Sequence, residues 1–344
     1  MLNRTLRMIG IFLVVLLLGS SALAQSLKVC ATVPELGSLA REIGGERVTV
    51  VTFAKGTEDP HFLEAKPSFI KSLSECDAYI QIGMDLEIGW APVLLRESRN
   101  GNVLAGARGH INASTAITPR EVPTVAVDRS MGDVHPFGNP HYLLDPLNGL
   151  RVAGLIRERF SEIQPASQQY FTDRYTSFRQ RLGNALVGES LAKKYDIEKL
   201  AALFEHGKLD DFLKSHNEQG LLGGWFALLQ PHHGAKLVAD HNMWPYFAER
   251  YGLSLVGTLE PKPGIPPTTA HLGEIVDVMK ANNVRAVLAT AYYDIRYADF
   301  VSQNTGAKVV PMAHQAGARP GTDEYLNMAD YNVRQLAAAL GSVK

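Results

Sequence analysis

The sequence predicts an α/β protein with two lobes, each a parallel sheet flanked by helices, joined by one long helix. Three observations predict this class. Short apolar runs alternate with amphipathic helical patterns in both halves of the chain, which is typical of βαβ units. One long helical stretch separates the halves, and 344 residues exceed what a single ordinary core holds. We expect a ligand site in the cleft between the lobes.

The overall composition is that of a globular chain with little net charge. Apolar residues make up 46% and charged residues 20%, and the formal net charge is −1. So small a charge argues against nucleic acid or an anionic membrane surface as a partner. After the N-terminal leader, no segment is long and apolar enough to span a bilayer. We expect a monomer that does not insert directly into a membrane.

The first 24 residues have the pattern of a secretory signal peptide. Arg4 and Arg7 precede the apolar run Met8–Gly19, and Ser20–Ala24 ends in small residues. A transmembrane anchor is the alternative, but the run is short and no stop-transfer charges follow it. We therefore expect export, with the signal peptide (residues 1–24) cleaved near Ala24.

The chain has two cysteines, Cys30 and Cys76. They would be able to form one disulfide in an oxidising compartment, but the sequence does not fix the distance between them. Two buried free thiols are the alternative. Val29 precedes Cys30 where a lipid-attachment site would have small residues, so we expect a soluble exported protein.

The first lobe is predicted over residues 25–165, and its elements alternate from the start. The expected elements are strand Leu27–Val33, helix Pro34–Ile43, strand Arg47–Phe53, a helix from Pro67, strand Asp77–Ile82 and helix Leu86–Glu97. Residues 112–139 are rich in Pro, Gly and Asp and are predicted to be loop.

A long helical region follows from Leu147 to about Ala192, with an interruption near Pro165. Its second part, residues 166–192, is predicted to link the lobes. Residues 193–344 form the second lobe and repeat the alternation. The expected elements are strand Ala235–Ala239, helix Met243–Tyr251, strand Ser254–Leu259, helix Leu272–Ala281, strand Val284–Ala289, helix Ala298–Gln303, strand Ala307–Met312 and helix Glu324–Leu340.

Three histidines lie where apolar runs meet loops. His61 follows the second strand, His241 comes directly after the first strand of the second lobe, and His141 precedes the long helical region. Open α/β sheets bind ligands at the carboxyl ends of their strands, and zinc accepts imidazoles from separate loops. The hypothesis is that these three histidines converge on one metal ion. Glu58 and Glu64 flank His61 and are candidate acceptors for its second ring nitrogen, although the preferred interpretation is that they are ordinary surface carboxylates.

Six short motifs lie around these histidines and along the rest of the chain. They are Asp59-Pro-His61 with Pro67-Ser68, Asn139-Pro-His141 with Asp145-Pro146, Asp240-His241 with Trp244-Pro-Tyr-Phe247, Ile43-Gly-Gly45, Gly83-Met-Asp-Leu-Glu87 with Trp90, and Thr305-Gly-Ala-Lys-Val309. Together they resemble the zinc- and manganese-binding solute receptors of bacterial ABC importers. The resemblance covers nearly the whole chain after the leader and keeps the order of the family.

The resemblance implies a metal held between two α/β lobes, a periplasmic location and a membrane permease as partner. It takes His61 and His141 from the first lobe and His241 from the second. The family often adds an aspartate from the loop after the last strand, but the aligned position here is near Ala313. The predicted ligand set is therefore completed by the next residue, His314. Asp294, His135 and water are the alternatives for this fourth position.

The ligand types favour Zn²⁺ over Mn²⁺, because manganese prefers carboxylates and imidazoles suit zinc. The sequence thus predicts a periplasmic receptor, not an enzyme, that captures Zn²⁺ and delivers it to the permease of an ABC importer. The alternatives are a manganese receptor of the same family, an adhesin on the same scaffold and a secreted zinc hydrolase. Three histidines and a water also make a catalytic zinc site, but the sequence has no His-Glu-x-x-His motif, nucleophile elbow or phosphate-binding loop.

Overall fold

The computed structural model describes residues 26–125 and 134–341, which form two parallel four-stranded sheets. The strands are β1 (Leu27–Ala31), β2 (Val48–Thr52), β3 (Ala78–Gln81), β4 (His110–Asn112), β5 (Lys236–Ala239), β6 (Ser254–Thr258), β7 (Ala286–Ala289) and β8 (Lys308–Pro311). The orders are β2-β1-β3-β4 and β6-β5-β7-β8, so the two sheets have the same topology. The predicted fold class is confirmed. The predicted signal peptide lies outside the described residues.

Helices flank both sheets and join them. They are α1 (Pro34–Gly44), α2 (Pro67–Glu75), α3 (Ala91–Ser98), α4 (Pro146–Ile163), α5 (Gln168–Val187), α6 (Glu189–Lys194), α7 (Ile197–Glu205), α8 (Leu209–Ser215), α9 (Gly224–Leu229), α10 (Pro245–Arg250), α11 (Thr269–Ala281), α12 (Ile295–Thr305) and α13 (Tyr325–Leu340). The helix α5 packs against α1 and α4 in the first half of the chain and against α6 and α9 further along it. It therefore contacts both halves, while the domain boundaries at residues 165/166 and 192/193 stay predictions.

The strand order reverses at the first strand of each sheet, β1 and β5. A parallel sheet with such a switch point binds ligands in the crevice outside the carboxyl ends of its strands. His61 lies in the loop after β2, and His241 is in the loop that follows β5 at once. The topology thus brings two of the three predicted histidines to the binding edges of the two sheets.

One predicted helix begins later than expected. The pattern predicts a helix from Leu86, but α3 begins at Ala91, after a run of turns. Met84 and Asp85 have positive φ angles of 53° and 63°, which no helix continues through. The buried Glu87 carboxylate stabilises this turn, because it accepts hydrogen bonds from the backbone N–H groups of Ile82 and Gly83 at 2.7 and 3.1 Å.

A buried ion pair joins the two halves beneath the histidine loops. The Asp145 carboxylate receives Nε and Nη2 of Arg250 at 2.8 and 2.9 Å. Asp145 also caps α4 by accepting the N–H of Leu147 at 2.9 Å, and Arg250 ends α10 in the second half. Both charged side chains are less than a tenth exposed, so the pair is desolvated and bidentate.

Both cysteines are buried free thiols. Cys30 lies in β1, and the Cys76 thiol donates to the carbonyl oxygen of Leu73 at 3.4 Å. Among the helices in residues 26–125 and 134–341, none combines the length and the hydropathy that a membrane span needs.

Replacement of Arg250 by leucine tests the ion pair. Removing one partner leaves the Asp145 carboxylate buried and unpaired, so Arg250→Leu should lower the free energy of unfolding by about 3–5 kcal/mol. The matched control is Arg334→Leu, which breaks an exposed pair with Asp330 and should cost less than about 1 kcal/mol. Urea denaturation of both variants measures the difference. Equal losses in the two variants would contradict the structural role of the Asp145–Arg250 pair.

Glu35, in the first turn of α1, predicts a pH dependence of stability. Burial raises the pKa of this carboxyl from 4.5 to about 8, although hydrogen bonds from its own backbone and from Ala316 lower it. The folded protein therefore holds a proton that the unfolded chain has lost, and stability falls as pH rises from about 5 to about 8. Glu35→Gln should remove this loss, so its melting temperature should exceed that of the wild type increasingly over this range. Glu64→Gln, at an exposed position, is the control. If the melting temperatures of wild type and Glu35→Gln change with pH in the same way, the prediction is wrong.

Candidate metal centre

Three histidine side chains from both halves meet between the sheets. Among the described residues, His61, His141 and His241 each offer a ring nitrogen, and these atoms all lie within 4.8 Å of one another. The ring centroids are separated by 5.4 Å (His61 to His141), 6.0 Å (His61 to His241) and 5.6 Å (His141 to His241). This is the group of side chains that the sequence predicts to converge.

A short turn after β2 orients His61. Pro60–Phe62 forms one turn of 3₁₀ helix, and Asp59 caps it by accepting the backbone N–H of His61 at 3.0 Å. The same carboxylate receives Nδ1 of the ring at 2.7 Å. Because an ionised carboxylate only accepts hydrogen bonds, Nδ1 carries a hydrogen, and the neutral tautomer that binds a metal ion then has its lone pair on Nε2.

The acceptor for His61 is therefore not one of the two carboxylates that the sequence suggests. Glu58 accepts the backbone N–H of Lys55 at 2.9 Å, and Glu64 is exposed. Asp59 takes this place because the residue at the start of the 3₁₀ turn reaches both the backbone and the ring of His61. This double contact depends on turn geometry, which sequence spacing alone does not show.

His241 is the most buried member of the group. Its backbone N–H donates to Asp240 at 2.8 Å, and its ring is stacked on Tyr293 with centroids 5.7 Å apart. Nδ1 lies 2.6 Å from Oε2 of Glu260, which follows the neighbouring strand β6. Glu260 therefore fixes the tautomer of His241 as Asp59 fixes that of His61, and Nε2 is again the free donor atom.

His141 presents a buried ring nitrogen towards the group. Its backbone N–H donates to the side-chain oxygen of Asn139 at 3.0 Å, while its buried Nε2 has no hydrogen-bond partner within residues 26–125 and 134–341. Burial, and then the neighbouring His61 and His241, lower the pKa of His141 well below its ordinary value. A neutral imidazole with a buried, unpartnered nitrogen fits coordination of a cation.

The other predicted ligands lie outside this group of three. His314 is buried against Tyr292, with ring centroids 4.6 Å apart, and burial lowers its pKa to about 3. Asp294 caps α12 and is paired with Arg296. His135 does reach the group on one side, because its Nε2 lies 3.2 Å from Nε2 of His61.

The group consists of imidazole nitrogens. In the part of the chain that the structure describes, no carboxylate oxygen belongs to it; Asp59 and Glu260 contact the remote nitrogens instead. Such a donor set suits divalent ions that accept nitrogen ligands. The arrangement is able to bind a metal ion from two lobes at once.

Comparison with known proteins identifies the class. A family model described as "Zinc-uptake complex component A periplasmic" matches residues 29–195 and 225–339. The manganese-binding lipoprotein MntA of Halalkalibacterium halodurans is 21% identical over 325 residues, which are 94% of this chain and 91% of that protein. The fold, the histidine group and these matches define a metal-binding receptor of an ABC importer. The chain belongs to the family of the zinc-uptake complex component A.

Solved structures show the same fold. A crystal structure of ZnuA superposes with a TM-score of 0.65 at 22% identity, covering 92% of this chain and all of that one. The laminin-binding protein Lmb of Streptococcus agalactiae, described as having adhesin and metal-transporting activity, has a TM-score of 0.65 at 19% identity and the same coverage. The suggested family resemblance is thus confirmed.

Replacement of Glu260 by glutamine tests its role beside His241. The amide cannot hold Nδ1–H as strongly as a carboxylate does, so Glu260→Gln should weaken metal binding about 10–100-fold while the fold is retained. Calorimetric titration of metal into chelator-stripped protein measures this. The matched control is Glu274→Gln, since Glu274 pairs with His271 outside the group. Unchanged affinity in the Glu260 variant would show that the carboxylate does not support the ligand.

Proposed function

We propose that this protein is an exported, periplasmic receptor that captures Zn²⁺ and delivers it to the permease of an ABC importer. In this proposal His61, His141 and His241 are the ligands, with His61 and His141 from the first lobe and His241 from the second. The observation that carries the proposal is the meeting of three imidazole nitrogens within 4.8 Å, with no carboxylate in the group among the described residues.

The choice of zinc rests on ligand chemistry. Manganese is a hard ion that favours carboxylate and water ligands, whereas imidazole suits zinc. The two carboxylates near the group, Asp59 and Glu260, are already engaged by Nδ1 of His61 and of His241. They balance the charge of the ion through the imidazoles and do not need to touch it.

Capture needs no covalent chemistry. Neutral imidazoles replace water molecules on the ion, and the ion then joins side chains from both lobes. Delivery requires docking on the permease and loss of at least one ligand. A zinc hydrolase has no support from the comparisons, which match receptors of ABC importers.

Manganese is the second candidate, because the curated relative MntA is named as manganese-binding. A manganese receptor would favour a carboxylate ligand, so Asp59 or Glu260 would have to leave its histidine and enter the group of three. The two candidates therefore differ in the metal that wins a direct competition.

Competitive calorimetry on chelator-stripped protein, zinc against manganese, tests the proposal. Zinc should bind one to one and displace manganese. Loss of a residue that orients a ligand lowers metal affinity ~10–100-fold, and His241→Ala, which removes a ligand itself, should lower it further. His216→Ala is the control, since this exposed histidine contacts Phe212 and Ser215 away from the group. Tighter binding of manganese would contradict zinc as the cargo, and full zinc binding by the His241 variant would contradict the site.

A further inference from the structure

Two ring nitrogens lie within hydrogen-bond distance of each other beside the group of three. Nε2 of His135 is 3.2 Å from Nε2 of His61, and the ring centroids are 5.2 Å apart. His135 belongs to the loop that leads to His141 and is half-buried. It does not belong to the group whose ligand atoms all lie within 4.8 Å of one another, so it approaches that group from the side of His61.

The hydrogen bonds of the two rings decide which atoms face each other. Nδ1 of His61 donates to Asp59, so its Nε2 carries a lone pair. The backbone of Met84 is a hydrogen-bond partner of the His135 ring. Since Nε2 of His135 faces His61, we assign the hydrogen that the ring donates to the Met84 carbonyl oxygen to Nδ1. Both rings then direct a lone pair into the same gap, which is unfavourable unless a cation lies between them.

The 3.2 Å separation matches two ligands of one tetrahedral zinc ion. With Zn–N bonds of about 2.0–2.1 Å, two nitrogens at tetrahedral positions are about 3.3 Å apart. His135 also lines one cavity of about 230 Å³ together with His141 and His241. The acid in that cavity, Glu121, is engaged, because its Oε2 accepts the side-chain amides of Asn139 and Asn242 at 2.9 and 3.0 Å.

We propose that His135 is the fourth zinc ligand and closes a shell of four imidazoles around the ion. The inference rests on the proposed function and assigns the position that His314 was predicted to fill. A fourth imidazole in place of a carboxylate strengthens the preference for zinc over manganese.

The experiment compares wild type, His135→Ala and His314→Ala after loading with zinc. X-ray absorption at the zinc edge counts the imidazole rings around the ion, and stopped-flow transfer to a chelator measures dissociation. We expect four rings in the wild type and in His314→Ala, and three in His135→Ala. The His135 variant should still bind zinc one to one, with affinity lower by roughly tenfold or more and with faster dissociation.

Several outcomes would overturn the inference while leaving the receptor intact. Three rings in the wild type would do so, as would four rings in His135→Ala, or a loss of one ring in His314→Ala alone. Failure of the proposed function has a different signature, since the wild type itself would then not bind zinc or would prefer manganese. Melting curves of the metal-free variants, with His216→Ala beside them, separate loss of a ligand from loss of the fold.

Discussion

The buried ion pair between Asp145 and Arg250 constrains how the two halves lie relative to each other, and the meeting of the three histidines depends on that arrangement. Asp145 lies one short turn beyond His141, and Arg250 ends the helix that follows His241. A bidentate, desolvated pair constrains both distance and orientation. It therefore helps to hold the loops of the two sheets at the distance at which their imidazoles meet. The site is then preorganised before the ion binds.

The chemistry of the group follows from how its rings are held. Asp59 and Glu260 each accept the Nδ1–H of one histidine, so the Nε2 atom of each ring faces the group. The donor atoms are thus neutral and the negative charge lies one ring away. A doubly charged ion in this place is matched by two carboxylates that it does not touch. The carboxylates balance the charge of the ion, while the imidazole nitrogens alone contact it. The contacting atoms therefore favour an ion that accepts nitrogen ligands.

Sequence reasoning predicted the repeating elements and the three histidines, because both follow from local pattern. Apolar periodicity identifies β1, β2, β5 and the long helices, and strand ends identify His61 and His241. The three-residue strand β4 was missed, since so short a run has no period to detect. The helices between residues 197 and 229 were not assigned for a related reason, since they are only six to nine residues long.

Two of the partners that the sequence did not reveal, Glu260 and Arg250, are distant in the chain from the residues they contact. Glu260 contacts His241 across 19 residues and Arg250 contacts Asp145 across 105. Only the packing of neighbouring strands and lobes creates these pairs.

Diffraction data collected on both sides of the zinc absorption edge, from crystals of zinc-loaded protein, test whether these three histidines bind the ion. We expect one strong anomalous peak about 2.0–2.1 Å from ring nitrogens of His61, His141 and His241. A peak held by carboxylate oxygens, or one that lies away from these three rings, would contradict it.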